Sequence, residues 1–466
     1  MRVLLVYPNI IGFPKDVSLG LATLAAVLKQ HGHMVHLLDA SFTALTEKHI
    51  ISTCKEFDPQ LVAISSVSGN LPHGEYVAGV IKRHFDLPII CGGVHATVAP
   101  EETIAKDCFD MICVGEGEMA LLELVESLEK GEDNTAIGSI WFKRGGQVIR
   151  NSARPLVESL DDLPAPDRSI YDFERYLKWH HHQAGFLSSR GCPYRCTYCI
   201  NHVLQEEYRG MGTFVRFRSV DHLLTEVKDV ITRYPVRSVE FYDDTFTLNR
   251  QRIMEFCEKY PREIGLPFHM NTRVNVVDDK LLHALKSAGC QRVHFGVEAG
   301  DPEIRNKILR RNLSDEQMIR AFAAARAAGL RTYSFNMIGV PHETRETIRK
   351  TVELNRKLRP DYVQVSIFTA YKGTDLYEQC KENGWLDESH GIESYSTTTN
   401  VKHPNFTVNE LVWLRRTFGF RCFISHRPLR ALADVFDRTM SSLPYYTRVR
   451  SFLISGLQLG RVLERV

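Results

Sequence analysis

Apolar and polar positions along the first part of the chain predict alternating strands and helices. Five short apolar runs occur in residues 1–130, with amphipathic segments between them. Unbroken apolar runs are typical of parallel strands that helices cover on both faces. The predicted strands are 2–7, 34–39, 61–65, 87–91 and 111–114. The Ala- and Leu-rich segment 19–31 is predicted as a helix that Gly32 ends. The pattern predicts a doubly wound, Rossmann-like α/β domain over residues 1–130.

A second series of strand and helix patterns starts near Gly185. The predicted strands are 185–189, 238–242, 268–272, 292–297, 332–338 and 362–368. Between them, the segment 314–328 predicts a helix in which Ser314 and Gln317 form a capping box and Gly329 supplies the stop. Six such units predict a partial, TIM-like (β/α)6 barrel over residues 183–395, with its chemistry at the carboxyl ends of the strands.

Two further segments break this rhythm. Residues 131–182 contain a hairpin-like Gly145-Gly146 pair and a stretch rich in proline and charge at 161–168, which predicts a linker. Residues 396–466 carry eleven Lys and Arg against four Asp and Glu, with interspersed aromatic residues at Phe418, Phe420, Phe423, Tyr445, Tyr446 and Phe452. They predict a helical C-terminal region that serves either as a packing lid or as a basic surface, with a peripheral membrane as one candidate partner.

Composition narrows the class of protein. The 466 residues are 44% hydrophobic and carry a formal net charge of +2, so nothing points to nucleic acid as a partner. No apolar stretch reaches the length of a membrane span. The segment at the start is a short apolar run that ends at Pro8 and does not resemble a signal peptide. We therefore expect a cytoplasmic protein.

Eleven cysteines are present, and an odd number without a secretory signal argues against a disulfide framework. Eight of them are scattered through apolar or helical surroundings, where cysteine behaves as a small buried hydrophobe. These are Cys54, Cys91, Cys108, Cys113, Cys257, Cys290, Cys380 and Cys422. The other three lie within eight residues and indicate a distinct role.

These three are Cys192, Cys196 and Cys199, spaced C-x3-C-x2-C directly after a predicted strand. Thiolates suit zinc and iron–sulfur clusters. A structural zinc site needs four ligands, and no nearby Cys or His pair completes one. Three thiolates on a four-iron cluster leave one iron open to a substrate or cofactor. The number of cysteines therefore itself indicates catalysis.

The segment Gly191-Cys-Pro-Tyr-Arg-Cys-Thr-Tyr-Cys199 resembles the signature of the radical S-adenosylmethionine superfamily. The resemblance implies a 4Fe-4S cluster on the three cysteines, whose open iron chelates the amino and carboxylate groups of S-adenosylmethionine. Reduction then yields a 5′-deoxyadenosyl radical that abstracts hydrogen from the substrate. It also implies an external electron donor such as flavodoxin or ferredoxin, and a small-molecule substrate of anionic or amphipathic character.

Further parts of the predicted barrel resemble the same superfamily. Asp243 and Asp244 end the second strand, where the family binds the methionyl amino group, although two Asp at a strand end also suit a helix cap. Glu298, in Phe295-Gly-Val-Glu-Ala-Gly300, resembles a residue of the fourth-strand motif that lies along the nucleoside or methionyl part. Tyr198, inside the cysteine segment, is a further candidate contact for S-adenosylmethionine.

The remaining barrel candidates follow the third and fifth strands. Ile338, Gly339 and Val340, in Asn336-Met-Ile-Gly-Val-Pro-His-Glu343, resemble the motif whose backbone meets adenine. Arg273, after the third strand, is another candidate, with a surface salt bridge as the alternative.

The first domain resembles the cobalamin-binding domain that precedes many radical S-adenosylmethionine barrels. The resemblance rests on Ser18–Ala26, Asp58–Ser65, Gly92–Thr97 and Val114–Glu118, together with the linker Leu163–Arg168. It implies cobalamin contacts from Ser65, Ser66, Gly92, Gly93, His95, Ala96, Thr97, Gly115, Glu116, Gly117 and Glu118. For His95, the alternative is a loop histidine that is hydrogen-bonded to backbone.

One feature departs from corrinoid domains of the methionine-synthase type. Those domains carry D-x-H-x-x-G after the first strand, and its histidine binds cobalt from below. Here the first strand runs into Pro8-Asn-Ile-Ile-Gly-Phe-Pro14, which has no histidine. We expect bound cobalamin to lack a protein imidazole on its lower face, the alternative being a domain that serves only as a scaffold.

The leading hypothesis is a cobalamin-dependent radical S-adenosylmethionine methyltransferase that acts on an unactivated carbon or on phosphorus. Oxidative cyclisation or rearrangement, as in relatives of the anaerobic magnesium-protoporphyrin cyclase, is the second. A tRNA methylthiotransferase is the third, but it requires three further clustered cysteines and a C-terminal β-domain. A non-enzymatic corrinoid or nucleic-acid binding module leaves the three-cysteine segment unexplained.

Overall fold

A computed structural model describes residues 1–9, 17–387 and 396–440. These residues form two compact units. The first unit contains Met1–Arg195, Cys199–Met270 and Tyr371–Tyr377, and the second contains Cys196–Tyr198, Asn271–Ala370 and the described residues from Glu378 onward.

The first unit begins with a seven-stranded sheet. Its strands are β1 (Arg2–Tyr7), β2 (Met34–Asp39), β3 (Leu61–Ser65), β4 (Ile89–Gly92), β5 (Met111–Cys113), β6 (Ile140–Arg144) and β7 (Gln147–Ile149), in the order β2-β1-β3-β4-β5-β6-β7. Strands β1 to β5 are parallel neighbours. The accompanying helices are α1 (Leu19–Gln30), α2 (Glu47–Phe57), α3 (Leu71–His84), α4 (Val94–Val98), α5 (Pro100–Ala105) and α6 (Glu118–Glu129). The predicted doubly wound domain is confirmed.

This topology also locates a ligand edge. The strand order reverses between β1 and β3, and in open α/β sheets ligands bind at the carboxyl ends of the strands beside such a reversal. The centre of the sheet is fully buried, with Leu4, Val6, Val62 and Ile64 all at 0–1% exposure. Burial on both faces explains why these strands are unbroken apolar runs in the sequence.

The predicted linker is partly ordered structure. Strands β6 and β7 form an antiparallel hairpin that extends the first sheet, and Gly145 and Gly146 both have positive φ at its turn. Helix α7 (Phe173–Trp179) follows. Between them Arg168, which is 1% exposed, donates to Glu226 at 2.6 Å and stacks over Phe186. This ion pair fixes the second half of the linker to the barrel part of the first unit.

The second large sheet provides the barrel. Its strands are β8 (Gln183–Phe186), β11 (Ser238–Phe241), β12 (Phe268–Thr272), β13 (Cys290–Glu298), β14 (Arg331–Ile338) and β15 (Tyr362–Ile367), in the order β15-β14-β13-β12-β11-β8. The pairs β8–β11, β11–β12, β13–β14 and β14–β15 are parallel. This is the predicted partial barrel, built on a six-stranded sheet.

One predicted strand is divided. The segment 185–189 contains the end of β8 and the start of β9 (Ser189–Arg190), which pairs antiparallel with β10 (Arg216–Phe217) in a separate two-stranded sheet. The break falls at Ser188, whose backbone N–H donates to the Asp243 carboxylate at 3.2 Å instead of to a neighbouring strand. A side-chain acceptor therefore ends the strand, and sequence periodicity does not register it.

The barrel helices are α8 (Ile200–Glu207), α9 (Val220–Arg233), α10 (Arg250–Glu263), α11 (Asp279–Ser287), α12 (Asp315–Ala327), α13 (Arg345–Leu358) and α14 (Asp375–Glu382). The predicted capping box of α12 is confirmed. Gln317 N–H donates to Ser314 Oγ at 3.2 Å, and Ser314 N–H donates to Gln317 Oε1 at 2.9 Å. Each bond satisfies a backbone donor that the helix itself leaves unpaired.

The described C-terminal region is helical, as predicted, with α15 (Val408–Phe423) and α16 (Pro428–Met440). Phe418 and Phe423 are buried in a cluster with residues of β14 and β15. Arg427 pairs with Asp361 at 3.3 Å, and Arg430 lies over the Tyr362 ring. The predicted aromatic residues Tyr445, Tyr446 and Phe452 lie outside the described residues. No helix in the described ranges is long and apolar enough to cross a membrane.

Candidate active site

The cysteine segment is the loop between β9 and α8. Its backbone enters through Gly191, which has φ +83° and where a Cβ would lie 2.5 Å from the Phe214 carbonyl oxygen. Only glycine fits this position without displacing backbone. Cys192 and Cys196 are buried, and Cys199 is partly exposed. A loop that buries two of its three thiols and is held at Gly191 by close packing suits ligation of a cluster.

In the first unit, amide groups from α8 contact the cysteine segment. Asn201 Nδ2 donates to Cys199 Sγ at 3.6 Å, and the Gln205 amide donates to the Cys192 carbonyl oxygen. Neighbouring hydrogen-bond donors stabilise the charge of ligating sulfur and tune the reduction potential of iron–sulfur clusters.

In the second unit, two buried arginines contact Cys196. Arg273 Nη1 lies 3.6 Å from Cys196 Sγ, and Arg311 Nη1 lies 3.9 Å from the same sulfur. Arg273 is 5% exposed and also donates to the Arg311 carbonyl oxygen at 2.7 Å. The alternative of a surface salt bridge for Arg273 is therefore wrong. A cationic donor stabilises the negative charge of a sulfur that ligates a cluster.

The donor set fits a 4Fe-4S cluster. Three thiols share one loop, and N–H donors are directed at two of their sulfurs. Within the described residues, no three Cys, His, Asp or Glu side chains are arranged around the position of a single metal ion. A four-iron cluster does not require that arrangement, because each thiolate binds a different iron.

The two aspartates after β11 differ in environment. Asp243 is fully buried, and it accepts hydrogen bonds from Ser188 N–H and from the hydroxyls of Ser188 and Ser189. Asp244 is exposed as a residue, and its carboxylate bonds Asn201. Protein atoms around the carboxyl group still limit its hydration, and this desolvation raises its pKa. Neither caps the following helix, because Asn249 caps α10. Asp243 thus anchors the chain that enters the cysteine loop.

Glu298 lies at the carboxyl end of β13, just past an irregularity in its pairing with β14. It has φ +63°, which is rare for glutamate, and burial raises the pKa of its carboxyl while Arg311 opposes that shift. Glu298 Oε1 lies 3.8 Å from Arg311 Nη2, and Arg311 Nη1 donates to Tyr198 Oη at 3.2 Å. The second unit therefore places an acid, a phenol and a guanidinium group side by side.

Arg311 was not predicted from the sequence. It lies in an irregular segment between Leu309 and Ser314, where neither strand nor helix periodicity applies. Its Nη2 donates to the Gly296 carbonyl oxygen at 2.5 Å, and a Cβ at Gly296 would collide with it. Gly296 therefore leaves room for the Arg311 side chain, and this glycine is the one sign of the contact in the motif Phe295–Gly300.

The predicted adenine segment is tightly packed. Ile338 and Val340 are fully buried, and a Cβ at Gly339, which has φ +76°, would lie 2.9 Å from the Leu411 side chain. Val340 N–H donates to Glu343 Oε2 at 3.0 Å, and burial raises the pKa of Glu343 to about 8. The adenine contact itself stays a prediction.

The first unit contains a cavity of about 360 Å³ at the ligand edge of the first sheet. This volume is in the range of cofactor pockets. Seven predicted cobalamin residues line it: Ser65, Gly92, Gly93, Gly115, Glu116, Gly117 and Glu118. The apolar side chains Leu19, Leu24 and Leu121 line it as well. Glycine backbone and aliphatic side chains allow the close approach of a flat ring such as a corrin.

The other four predicted cobalamin residues, Ser66, His95, Ala96 and Thr97, are buried and do not line the cavity. His95 Nδ1 lies 3.0 Å from Ser68 Oγ, so this histidine bonds within the protein. Thr97 Oγ1 accepts from Gly115 N–H at 2.9 Å and supports the cavity loop from behind. A direct cobalamin contact for these four residues stays a prediction.

Several other lining residues were not among the predicted cobalamin contacts. They come from the predicted linker and from the start of the barrel: Leu160, Leu163, Pro164, Pro166, Leu187, Ser189, Arg190 and Arg218. Proline-rich composition indicates a connection but not what the connection packs against. No described residue that lines the cavity is a histidine.

Two glycines of this edge are required by packing within the protein. A Cβ at Gly93 would lie 2.6 Å from the Ser66 carbonyl oxygen, and a Cβ at Gly115 would overlap the Tyr208 hydroxyl. Both have positive φ, +94° and +89°. Their sequence signal is therefore explained by close approach of backbone and of Tyr208, in addition to any approach of a ligand.

The fold and the cysteine loop define a radical iron–sulfur enzyme that carries a cobalamin-type domain. Comparison with known families agrees, since the Radical SAM superfamily matches residues 186–354 and the B12 binding domain matches residues 17–125. The chain is 30% identical over 446 residues to an uncharacterized methyltransferase of Pyrococcus horikoshii, covering 94% of this chain and 95% of that protein. The chain therefore belongs to the cobalamin-binding radical S-adenosylmethionine enzymes, a family that uses a 4Fe-4S cluster, S-adenosylmethionine and cobalamin.

Solved structures share the fold. The methyltransferase TsrM from Kitasatospora setae, with cobalamin and a 4Fe-4S cluster bound, matches with a TM-score of 0.69 and 19% identity over 82% of this chain and 75% of that chain. OxsB, with aqua-cobalamin and S-adenosylmethionine bound, matches with a TM-score of 0.66 and 19% identity over 98% of this chain and 72% of that chain.

Proposed function

We propose that this enzyme transfers a methyl group to an unactivated carbon or to phosphorus of a small molecule. The observation that carries the proposal is the cavity of the first unit. It is lined by the Gly115–Glu118 loop of the B12 domain and also by Ser189 and Arg190, the strand that leads into Cys192. A corrinoid in this cavity would lie against the chain that forms the cluster loop.

Relatives support methyl transfer as the outcome. Cytidylyl-2-hydroxyethylphosphonate methyltransferase of Streptomyces wedmorensis is 24% identical over 84% of this chain and 84% of its own length. Together with the Pyrococcus horikoshii protein, it makes methyl transfer the activity that the comparisons favour. At 24% identity, the phosphonate enzyme does not indicate the substrate of this chain.

When bound, the reduced cluster with S-adenosylmethionine supplies a 5′-deoxyadenosyl radical, and cobalamin supplies the methyl group. The chain's own residues bind and orient these groups. Cys192, Cys196 and Cys199 hold the cluster, while Arg273 and Arg311 stabilise the charge on the Cys196 sulfur. An external donor such as flavodoxin or ferredoxin supplies electrons.

Acidic side chains orient S-adenosylmethionine. Its amino group is a cation, and Asp244 follows the second barrel strand, where the family binds that group. Glu298 is in the position that lies along the nucleoside or methionyl part. Arg311 lies beside Glu298 and bonds Tyr198, so it keeps that carboxylate in place and supplies a cation for the methionyl carboxylate.

Oxidative cyclisation is the second candidate. The anaerobic magnesium-protoporphyrin IX monomethyl ester cyclase of Rubrivivax gelatinosus is 26% identical over 99% of this chain and 85% of its own length. This near-complete coverage favours cyclisation as the alternative to methylation. The two reactions differ in product mass, because cyclisation adds no methyl group.

The methylthiotransferase hypothesis loses its main support in the described structure. It needs a second cluster of cysteines in the first domain. Cys54, Cys91 and Cys113 are buried, and burial raises the pKa of each thiol above its usual value. Cys54 lies on α2, whereas Cys91 and Cys113 lie on the neighbouring strands β4 and β5.

Isotope transfer tests the proposal. Anaerobic protein reconstituted with iron, sulfide and hydroxocobalamin is incubated with a reductant, a metabolite extract and S-adenosylmethionine carrying a deuterated methyl group. Methyl transfer predicts a metabolite that gains the deuterated methyl group, with none in the Cys192→Ala variant. Deoxyadenosine formation with a product that gains no methyl group would favour cyclisation instead.

A further inference from the structure

We propose that Arg190 is a positioning residue that couples corrinoid binding to the iron–sulfur cluster. The inference rests on the proposed function, because it requires both groups in one protein. Arg190 ends β9 and precedes Cys192 by two residues. It is also one of the residues that line the corrinoid cavity.

Arg190 bridges two carboxylates of the cavity loop. Its Nη2 donates to Glu118 Oε1 at 2.6 Å, and its Nη1 lies 3.2 Å from Glu116 Oε1. Glu118 begins α6, where the helix dipole favours a negative side chain. One guanidinium group therefore connects the strand that leads into the cluster loop with the loop that forms the floor of the cavity.

A second arginine joins the same network. Arg216 lies opposite Arg190 in the antiparallel β9–β10 pair. Its Nη1 donates to Glu116 Oε2 at 3.1 Å and to the Val157 carbonyl oxygen at 2.8 Å. We call Arg190, Arg216, Glu116 and Glu118 the glutamate clamp. It contains two positive and two negative charges, so it is neutral as a whole.

The cavity loop is also held from the other side of the cysteine segment. Tyr208 follows α8, the helix that starts after Cys199, and its hydroxyl accepts from Glu116 N–H at 2.5 Å. The Tyr208 ring packs against Gly115, where a side chain would collide with it. The loop that contacts the corrinoid is therefore tied to residues before and after the three cysteines.

These ties predict linkage between the two binding events. Arg190 is separated from Cys192 by Gly191 alone, whose backbone is fixed by its close approach to Phe214. A corrinoid that orders the Gly115–Glu118 loop will also order Arg190 and the entry to the cluster loop. Each group then binds more tightly when the other is present, and by the same factor.

The experiment is a linkage cycle on the full-length protein. The dissociation constant of hydroxocobalamin is measured by absorption titration on iron-free protein and on protein with a reconstituted cluster. Wild-type protein is expected to bind more tightly with the cluster, by about 5- to 150-fold, the usual range of coupling between two sites. Paramagnetic resonance of the reduced cluster, with and without corrinoid, gives a second readout and is expected to change on corrinoid addition.

Three clamp variants and a matched control distinguish loss of coupling from general damage to the protein. Arg190→Gln is expected to bring the ratio of dissociation constants, without and with the cluster, close to one. Arg190→Lys keeps the positive charge and is expected to restore part of the coupling. Glu118→Gln removes the 2.6 Å ion pair of Arg190 and is expected to lower this ratio. Because Glu116 still pairs with Arg190, this variant tests the inference if Arg190→Gln fails to fold. Arg195→Gln is the control, because Arg195 lies in the loop that follows β9 and pairs at the surface with Glu206.

The outcomes are distinct. Wild-type protein that binds both groups with independent affinities would overturn the coupling and leave the proposed function intact. Unchanged coupling in Arg190→Gln and Glu118→Gln would overturn the role of the clamp. Protein that binds no corrinoid at all would overturn the proposed function, and the inference with it.

Discussion

At the residue scale, the charged groups around the cysteine segment serve different purposes. Arg273 and Arg311 direct N–H groups at one sulfur, whereas Asp243 receives three donors from the start of the loop. Burying a charge is tolerated only when hydrogen bonds or opposite charges compensate it. Each of these buried groups has such partners. The two arginines contact the Cys196 sulfur, whereas Asp243 holds Ser188 and Ser189 at the start of the loop.

The cysteines give the first prediction. Replacing Cys192, Cys196 and Cys199 together with Ala removes all the thiols of the loop, so the protein should lose 4Fe-4S absorption and deoxyadenosine formation. Iron content and product chromatography measure both. Cys257→Ala, at a partly exposed cysteine of α10, is the control and should keep a full cluster. Full cluster iron in the triple variant would require a different cluster site.

The acidic residues give a second prediction that separates Asp244 and Glu298 from Asp243. Asp244→Asn and Glu298→Gln should retain iron but weaken S-adenosylmethionine binding by about 1.5–3 kcal/mol, the cost of a lost charge-assisted hydrogen bond. Calorimetric titration of the reconstituted protein measures it. Glu303→Gln, at an exposed Glu paired with Lys307, is the control.

Asp243→Asn should behave differently. An amide in place of the carboxylate cannot accept all three donors from Ser188 and Ser189, and its own N–H group has no place among them. We expect reduced retention of cluster iron with little effect on S-adenosylmethionine affinity per cluster. Normal iron content with weakened affinity would return Asp243 to the cofactor contacts.

At the element scale, the sequence predicts regular strands and helices well and irregular connections poorly. Strand β12 begins and ends where the pattern predicts, and the capping box of α12 is present. The divided strand at Ser188 and the segment around Arg311 were missed. In both places a side chain from a distant part of the sequence bonds the backbone, and neither hydrophobic periodicity nor turn composition records such a partner.

The connection after β14 gives a prediction for pH. Burial raises the pKa of Glu343 from 4.5 to about 8, so between these values the folded protein holds a proton that the unfolded chain has released. Stability must then fall as pH rises through this window, by an amount on the order of a few kcal/mol. The thermal midpoint of wild-type protein should fall more between pH 6 and pH 9 than that of Glu343→Gln.

A surface variant controls for the other titrating groups. Glu346→Gln removes an exposed carboxylate on α13 that pairs with Arg349. It should show the wild-type pH dependence. Equal pH dependence in wild-type protein, Glu343→Gln and Glu346→Gln would show that Glu343 is ionised in the folded protein.

At the scale of the whole molecule, both fold types and the cluster segment were predictable from the sequence, but the composition of the cavity was only partly so. Gly92, Gly93 and Gly115–Glu118 line it as expected. The Pro-rich connection and Arg190 line it too, and the sequence places them in a linker and beside the cluster. Long-range packing decides which segments of the chain line the same cavity. A single sequence contains no direct signal of that packing.

The central claim is that the first domain binds cobalamin as a cofactor without a protein imidazole on the cobalt. The most direct test is paramagnetic resonance of cobalt(II) in anaerobic protein reconstituted with hydroxocobalamin and reduced. The account predicts stoichiometric corrinoid whose cobalt(II) signal shows no coupling to a protein nitrogen, because no described cavity residue is a histidine and the loop after β1 contains none. A five-coordinate spectrum with coupling to a protein nitrogen, or protein that retains no corrinoid, would contradict it.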